Sequence, residues 1–148
     1  MEDVPRSDPV ARWATADAVT VDQDESVGSA RALMLEQAIQ HLVVVGEGRV
    51  IGVLSDRDVL AALTPMAANA ALARQSDLAT LNKRVHQVMS HRLVAVSREM
   101  PVREAVSELV TRHIHCLPIV GLRGEPAGIF TTSDALRWAL ACTDPETP

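Results

Sequence analysis

The chain contains an internal duplication, and this duplication limits the folds that it can adopt. A shift of 75 positions superposes equivalent residues of two copies, among them Val10 on Val85, Val21 on Val96 and Leu42 on Leu117. One additional residue after Gly121 raises the shift to 76, which pairs Gly52 with Gly128 and Asp58 with Asp134. Because the similarity keeps its phase over a whole repeat, we expect two copies of one supersecondary unit.

The apolar pattern predicts the same five elements in each copy, in the order strand, helix, strand, strand, helix. In the first copy they are a strand at 18–21, a helix from Ser26, a strand at 42–45, a strand ending at Ser55 and a helix at 57–63. In the second copy they are a strand at 93–96, a helix from Pro101, a strand at 117–120, a strand ending at Thr131 and a helix at 133–141. The apolar runs at 42–45 and 117–120 are typical of strands that are buried on both faces. The predicted fold class is therefore α/β, with two tandem pseudo-symmetric strand-helix-strand-strand-helix repeats packed through their sheets.

The repeat boundaries divide the chain into five segments. They are an N-terminal tail at 1–9, a first repeat at 10–64, a helical connector at 65–84, a second repeat at 85–141 and a C-terminal tail at 142–148. Thr64 and Pro65 predict the end of a helix. Ser76 and Asp77 predict the cap of a connecting helix, with one apolar side formed by Leu78, Leu81, Val85 and Val88. An ordinary connecting helix explains this apolar side better than a membrane helix or a partner-binding helix does.

The composition excludes several classes of function. The 148 residues are 47% apolar and 22% charged, which is ordinary for a globular protein. The net charge of -5 gives no reason to expect a nucleic-acid partner. No apolar run approaches the roughly 20 residues that a membrane-spanning helix needs, and the first residues lack a secretory signal pattern. Two cysteines do not make a disulfide framework, so we expect a cytoplasmic protein.

One short motif occurs in both copies, at 52–58 and at 128–134. It consists of Gly, an apolar residue, any residue, Ser or Thr, two variable residues and Asp. We name these two segments the first corner and the second corner, because each leads from a predicted strand into a predicted helix. Such a pattern at a helix start can be a capping box, with Asp in place of the usual Glu. It can also be a ligand site, and the two interpretations do not exclude each other.

Two such copies in tandem resemble a pair of CBS domains, which is also called a Bateman module. The resemblance covers about residues 10–141 and rests on the two corners, on the strand at 117–120 and on Val88-Met89-Ser90. It implies two packed three-stranded sheets, with clefts between the repeats that commonly hold AMP, ADP, ATP or S-adenosylmethionine. It also implies a homodimer formed through helices. The implied function is a stand-alone regulatory module that senses an adenosyl nucleotide and modulates an unidentified effector protein in trans.

The residues at the corners have chemistry that suits such a ligand. An ionised Asp58 or Asp134 can accept hydrogen bonds from the two adjacent hydroxyls of a ribose. Ser55 and Thr131 could donate to a phosphate or 5′ oxygen, and Arg57 adds positive charge at a helix N-terminus, which itself favours an anion. The candidate ligand-binding residues are Thr20, Val21, Val43, Ser55, Arg57, Asp58, Ala95, Val96, His115, Pro118, Thr131, Ser133 and Asp134.

The two sites are expected to differ. Val43 has Pro118 as its equivalent, and Arg57 has Ser133 as its equivalent. Arg57 favours the first site for a phosphorylated ligand, whereas the strand that contains Pro118, together with Thr131, favours the second site.

Other functions have weaker support in the sequence. His113, His115 and Cys116 lie close together, but a second pair of ligands at the spacing of a metal site is missing. The sequence also lacks a catalytic nucleophile arrangement and a glycine-rich phosphate loop, so we expect neither a metal site nor an enzyme. The alternative to a nucleotide sensor is an interaction protein that keeps the fold for dimerisation and binds no small molecule.

Overall fold

A computed structural model describes residues 7–63 and 70–143. In chain order its elements are α1 (Val10–Trp13), β1 (Thr20–Asp22), α2 (Val27–Gln37), β2 (His41–Gly46), β3 (Arg49–Ser55), α3 (Asp56–Ala62), α4 (Ala70–Leu81), α5 (Val85–Val88), α6 (Val102–Arg112), β4 (Cys116–Val120), β5 (Pro126–Thr131) and α7 (Thr132–Thr143). Parts of the predicted tails at 1–9 and 142–148 and of the predicted connector at 65–84 lie outside the described residues, and so does the predicted helix end at Thr64 and Pro65.

The first long helix of each copy begins and ends at equivalent positions, and the sequence explains both starts. Ser26 caps α2, because its side chain accepts a hydrogen bond from the Ser29 N–H at 3.1 Å. Pro101 precedes α6, where its restricted φ and missing N–H suit a helix start. Both helices end in a residue with left-handed backbone geometry, since Ala38 and His113 each have a φ of 53°. The predicted order of elements is confirmed in the first copy.

The predicted strand at 93–96 is wrong, because of these four residues only Val96 pairs with a strand. It forms an isolated parallel bridge to β4. In the first copy, the backbone N–H of Val43 donates to Val19 O at 3.1 Å. The equivalent of Val43 is Pro118, which has no backbone N–H and cannot make this bond. The described part of the second copy therefore has two full strands, whereas the first copy has three.

The predicted helix cap at Ser76 and Asp77 is also wrong, since both residues lie inside α4. Alanine has the highest helix propensity, and the alanine-rich sequence before these residues allows the helix to begin at Ala70. The apolar side that was predicted for one connecting helix is divided between two helices. α4 ends at Leu81, and α5 begins at Val85 after a short turn.

The described residues form two compact units. The first-copy unit is Val19–Leu93, and the second-copy unit combines the described residues up to Ala18 with those from Val94 onward. These units differ from the sequence repeats at 10–64 and 85–141. The difference arises because each unit contains the body of one copy and the leading segment of the other. We name residues 7–18 and their equivalents at 82–93 the two leading segments. Residues 7–18 belong to the second-copy unit, and residues 82–93 belong to the first-copy unit.

Equivalent backbone hydrogen bonds hold the two leading segments. Examples, each 2.8 Å long, are Val102 N–H to Asp8 O in the second-copy unit and Val27 N–H to Lys83 O in the first-copy unit. Further along, Thr15 pairs with β5 and Ser90 pairs with β3. A Cβ atom added to Gly52 would lie 2.7 Å from Ser90 O, and one added to Gly128 would lie 2.8 Å from Thr15 O. This close approach of two backbones explains why both motifs begin with glycine.

In each unit, one face of the sheet packs against helices. β1, β2 and β3 form the first sheet in that order, with β1 parallel and β3 antiparallel to β2. The core of the first-copy unit consists of Val21, Val27, Ala30, Met34, Leu42, Val44, Leu54, Val59, Val85 and Met89. β4 and β5 are antiparallel, and the core of their unit consists of Val10, Val96, Val102, Ala105, Leu109, Leu117, Ile119 and Phe130. Alternate strand residues therefore lie on the opposite sheet face.

Candidate ligand-binding sites

In the first-copy unit, most predicted strand residues lie on the sheet face that is opposite the helical core. Thr20 pairs with Val43, and Val43 pairs with Val53 in β3. Successive side chains of a strand alternate between the two faces, so Ser55 shares the face of Val53. The side chain of Val21 lies in the helical core. Val21 can therefore take part in a ligand site through its backbone alone.

The first corner forms a capping box at the start of α3. The Asp58 N–H donates to Ser55 Oγ at 3.0 Å, and the Ser55 N–H donates to Asp58 Oδ2 at 2.8 Å. The capping interpretation is thus confirmed for this corner. The capping bond to Asp58 leaves acceptor positions for a ligand, because a carboxylate has two oxygens with about four acceptor positions. Asp58 is half-buried, and Arg57 is exposed in the same helical turn.

The second corner contains a buried carboxylate that has partners on both oxygens. Asp134 is 3% exposed. Its Oδ2 atom accepts from the Thr131 N–H at 2.8 Å and from the Thr131 hydroxyl at 3.1 Å. Its Oδ1 atom accepts from the guanidinium of Arg137, whose side chain is 63% exposed. The Thr131 hydroxyl, which was predicted to face a phosphate, is therefore directed at Asp134.

Arg137 is a site residue that the sequence analysis missed. It lies three residues after Asp134 in α7, which is a spacing at which two helical side chains meet. The equivalent residue in the first copy is Ala61. This spacing could have indicated an ion pair between Asp134 and Arg137. The comparison of the two copies did not reveal it, because the arginine is present in the second copy alone.

Two other predicted residues of the second copy, Pro118 and His115, lie beside its corner. Pro118 is buried in β4, two residues after Cys116, which pairs with Thr131. Pro118 and Thr131 therefore share the sheet face that is opposite the helical core. His115 is exposed, and its carbonyl oxygen accepts from the Thr132 N–H at 3.0 Å. This bond places the backbone of His115 next to the start of α7.

The segment before β4 fits the prediction less well. The side chain of Val96 lies in the helical core, and its backbone N–H donates to Pro118 O at 3.0 Å. The fold already uses the side chain and the N–H of Val96, so a ligand would have to contact the half-buried Ala95 instead. Ser133 is exposed at the start of α7. Each unit thus collects the predicted residues of one copy.

A groove of about 400 Å³ lies on the helical side of the first-copy unit. It is lined by Arg31, Met34, Leu35, Ala38, Ile39, Gln40, Asp56 and Val59. These residues belong to α2, to the loop after it and to the start of α3. Because Val59 and Met34 are core residues on the helical side, this groove is distinct from the sheet face that carries Thr20 and Val43.

The described part of the chain has neither a membrane-spanning helix nor a cluster of metal ligands. The helices at 7–63 and 70–143 include none that is long and apolar enough to cross a bilayer. The same residues contain no group of three or more His, Cys, Asp or Glu side chains that could hold a metal ion. His113, His115 and Cys116, although close in sequence, form no such group.

The duplicated α/β unit, with a Ser/Thr-x-x-Asp corner in each copy, defines the class of this protein. The CBS domain family matches residues 2–65 and 85–141. The chain therefore belongs to the CBS-domain family, and the resemblance stated from the two corners is confirmed.

Two curated relatives, both longer than this chain, match most of its length. The chain is 29% identical over 133 residues to an uncharacterised protein of Methanopyrus kandleri, covering 89% of this chain and 63% of that protein. It is 28% identical over 122 residues to an inosine-5′-monophosphate dehydrogenase of Methanocaldococcus jannaschii, covering 82% of this chain and 21% of that enzyme. The chain thus spans less than two thirds of the length of these relatives.

Solved structures of CBS domains share the fold. The CBS domain of a CBS domain-containing membrane protein from Sphaerobacter thermophilus has a TM-score of 0.76 at 26% identity, covering 90% of this chain and 88% of that one. CBSX2 in complex with AMP has a TM-score of 0.74 at 24% identity, covering 92% and 98%. The CBS domain pair of protein MJ0100, in complex with 5′-methylthioadenosine and S-adenosyl-L-methionine, has a TM-score of 0.71 at 21% identity, covering 87% and 93%. The predicted fold class is confirmed.

Proposed function

We propose that this chain is a regulatory module that binds an adenosyl nucleotide and thereby modulates a partner protein in trans, in the cytoplasm. The ligand is AMP, ADP, ATP or S-adenosylmethionine, and each corner provides a candidate site for its ribose. Two proteins of the same fold support this class of ligand, since CBSX2 was solved with AMP and the MJ0100 pair with 5′-methylthioadenosine and S-adenosyl-L-methionine. All of these ligands contain adenine and ribose, so ribose recognition is the central requirement.

The observation that carries the proposal is the fixed carboxylate in each corner. In both corners, the backbone N–H of the Ser or Thr donates to an oxygen of the Asp at 2.8 Å. This bond orients the carboxylate at the start of a helix. An oriented carboxylate can accept hydrogen bonds from two adjacent hydroxyls, and bonds to a charged acceptor are roughly twice as strong as neutral ones. The adjacent hydroxyls of a ribose match this acceptor.

In the first site, we assign the ribose to Asp58 and the 5′ substituent to Arg57 and Ser55. Arg57 is exposed next to Asp58, so its positive charge can approach a phosphate. The Ser55 oxygen accepts from the Asp58 N–H, and its hydroxyl hydrogen can be donated to a phosphate oxygen. Thr20 is exposed on the same sheet face as Ser55 and provides a surface for the adenine ring. Val43 lies on that face too, but its side chain is fully buried and offers the ring no surface.

The second site should bind the same ligands more weakly. Oδ2 of Asp134 already accepts two hydrogen bonds and Oδ1 accepts one from Arg137. Because Asp134 is also only 3% exposed, a ribose can reach Oδ1 only when Arg137 moves aside. His115, which is exposed beside this corner, would then contact the ligand, whereas Pro118 is buried. The first site should accordingly fill at lower ligand concentration.

A second function, self-association, is favoured by apolar residues on the helix surfaces. Leu35 in α2 and its equivalent Val110 in α6 are 73% and 68% exposed. Leu60 in α3 and its equivalent Leu136 in α7 are 58% and 62% exposed. Apolar side chains that are exposed at equivalent positions of both copies indicate a surface that another chain could cover. We propose that these helices form a homodimer interface, which a nucleotide sensor and a pure interaction protein could equally use.

Thermal unfolding in the presence of nucleotides separates these two functions. A ligand at 100 times its Kd adds about 2.7 kcal/mol of stability, which raises the Tm of a domain of this size by roughly 5–10 °C. We expect this shift with at least one of AMP, ADP, ATP and S-adenosylmethionine. The double variant Asp58→Ala, Asp134→Ala is the control and should show no shift. If none of the four ligands changes the Tm of the wild type, the interaction protein is the better explanation.

A further inference from the structure

Arg137 connects the second corner to the leading segment at 7–18. Its Nη2 atom donates to Asp134 Oδ1 and also to Trp13 O, at 3.4 Å, where α1 ends. One guanidinium nitrogen therefore serves two acceptors, of which one is the candidate ribose-binding carboxylate. Any movement of this nitrogen away from Asp134 also changes its bond to Trp13.

The leading segment is held at several other points of the same unit. The indole N–H of Trp13 donates to Asp8 Oδ2 at 3.2 Å, and Asp8 O accepts from the Val102 N–H at 2.8 Å. Thr15 exchanges two backbone hydrogen bonds with β5, at 3.0 and 2.9 Å. Trp13 itself is partly buried against the core of this unit. Loss of the Arg137 contact would therefore loosen the backbone around Trp13 without detaching the whole segment.

The first corner has no equivalent of this link. Ala61 occupies the position of Arg137, and Val88 occupies the position of Trp13. The first copy nevertheless forms the same strand-to-helix corner with the same 2.8 Å bond from backbone to carboxylate. The arginine is therefore not needed to build a corner, and it gives the second corner a property of its own.

We propose that Arg137 couples ligand binding at Asp134 to the position of the leading segment at 7–18. The proposal rests on the function proposed above, in which Asp134 accepts ribose hydroxyls. Ribose and the Arg137 guanidinium compete for Asp134 Oδ1. When ribose occupies this oxygen, Arg137 turns away and its bond to Trp13 O is lost. The second site thus changes the surface around Trp13 on binding, whereas the first site binds ligand without this change.

The coupling must act in both directions, because linkage between two equilibria is reciprocal. If ribose weakens the bond between Arg137 and Trp13, removal of Arg137 must strengthen ribose binding at Asp134. Ion pairs with an exposed partner are weak, so we expect Arg137→Met to raise the affinity of the second site for adenosine about two- to fivefold. Adenosine is the suitable probe, because it lacks a phosphate that could itself bind Arg137.

Tryptophan fluorescence of the full chain measures the coupling. The sequence has two tryptophans, so the variant Trp138→Phe leaves Trp13 as the single emitter. In this background, acrylamide quenching of Trp13 should increase when adenosine or AMP is added. The increase should disappear when Asp134→Ala is also present. Arg137→Met should show the increased quenching without ligand, and adenosine should then change it little.

Two further variants separate coupling from a general loss of structure. Arg137→Lys keeps a positive donor and should restore part of the protection of Trp13. Arg112→Met is the matched control, because Arg112 forms another exposed ion pair, with Glu108 in α6 of the same unit. This control should leave the quenching of Trp13 and the affinity for adenosine unchanged.

Calorimetric titration of the same variants distinguishes the possible failures. If none of adenosine, AMP, ADP, ATP and S-adenosylmethionine binds the wild type, the proposed function is wrong and the coupling is wrong with it. If they bind in a way that depends on Asp134 while the quenching of Trp13 stays constant, the coupling alone is refuted. Equal quenching of Arg137→Met and Arg112→Met without ligand would also overturn it, because Arg137 would then not hold the leading segment.

Discussion

Replacing Asp58 by asparagine tests whether this residue does more than cap α3. Asp58 Oδ2 accepts from the Ser55 N–H at 2.8 Å. Asparagine keeps a carbonyl oxygen for this bond, but it places an NH2 group, which only donates, where the second oxygen was. Asp58→Asn should therefore preserve the cap and lose the acceptor that we assign to the ribose hydroxyls.

The expected changes in stability and in affinity differ in size. Asp58→Ala removes one half of the capping box, which should cost on the order of 0.5–1 kcal/mol and lower the Tm by roughly 1–4 °C. Asp58→Asn should stay within about 0.5 kcal/mol of the wild type. Hydrogen bonds to a charged acceptor contribute about 1.5–3 kcal/mol each. Either variant should therefore reduce the affinity of the first site for AMP at least about tenfold.

Thermal unfolding and calorimetric titration with AMP provide both quantities. Ser55→Ala is the matched control, because it removes the hydroxyl that accepts from the Asp58 N–H and leaves the carboxylate in place. It should lower the Tm and reduce the affinity for AMP less than Asp58→Asn does. If Asp58→Asn binds AMP as tightly as the wild type, and Asp58→Ala is merely less stable, Asp58 is a cap alone and our assignment is wrong.

Three other perturbations test the fold and the assembly. Gly128→Ala should lower the free energy of unfolding by more than about 1 kcal/mol, because the φ of Gly128 is 144° and a Cβ would lie 2.8 Å from Thr15 O. An unchanged midpoint of unfolding in urea would contradict this close approach. Pro118→Val supplies the missing N–H for Val94 O and should extend the pairing of the second sheet, so the new amide should exchange slowly with deuterium. Rapid exchange would show that Pro118 is not the reason why residues 93–96 form no strand. Sedimentation of the wild type should give a mass near twice 15.9 kDa, and Leu60→Glu should shift it towards one chain; a monomeric wild type would exclude the dimer.

Much of the fold could be predicted because the duplication presents one pattern twice. The order of elements in the first copy followed from that pattern, and so did the two corners. The errors have local causes. The strand at 93–96 depends on an N–H that Pro118 lacks, and the position of the helix start in the connector depends on alanines that extend α4 back to Ala70.

The site could be predicted only as a set of motifs. The sequence located Asp58 and Asp134 at helix starts, but it did not show that Asp134 is 3% exposed or that Arg137 occupies its second oxygen. The bond between Arg137 and Trp13 joins residues that are 124 positions apart, and no local pattern reports such a contact. The sequence analysis did not predict the exchange of leading segments for the same reason. A repeat in the sequence does not specify which sheet and helices its first residues pack against.

A crystal structure of the chain grown with AMP would test the proposed function most directly. We expect both ribose hydroxyls to lie within hydrogen-bonding distance, about 2.5–3.0 Å, of the Asp58 carboxylate, with the phosphate near Arg57. AMP bound with its ribose away from both Asp58 and Asp134, for example in the groove between α2 and α3, would contradict the assignment of the two corners.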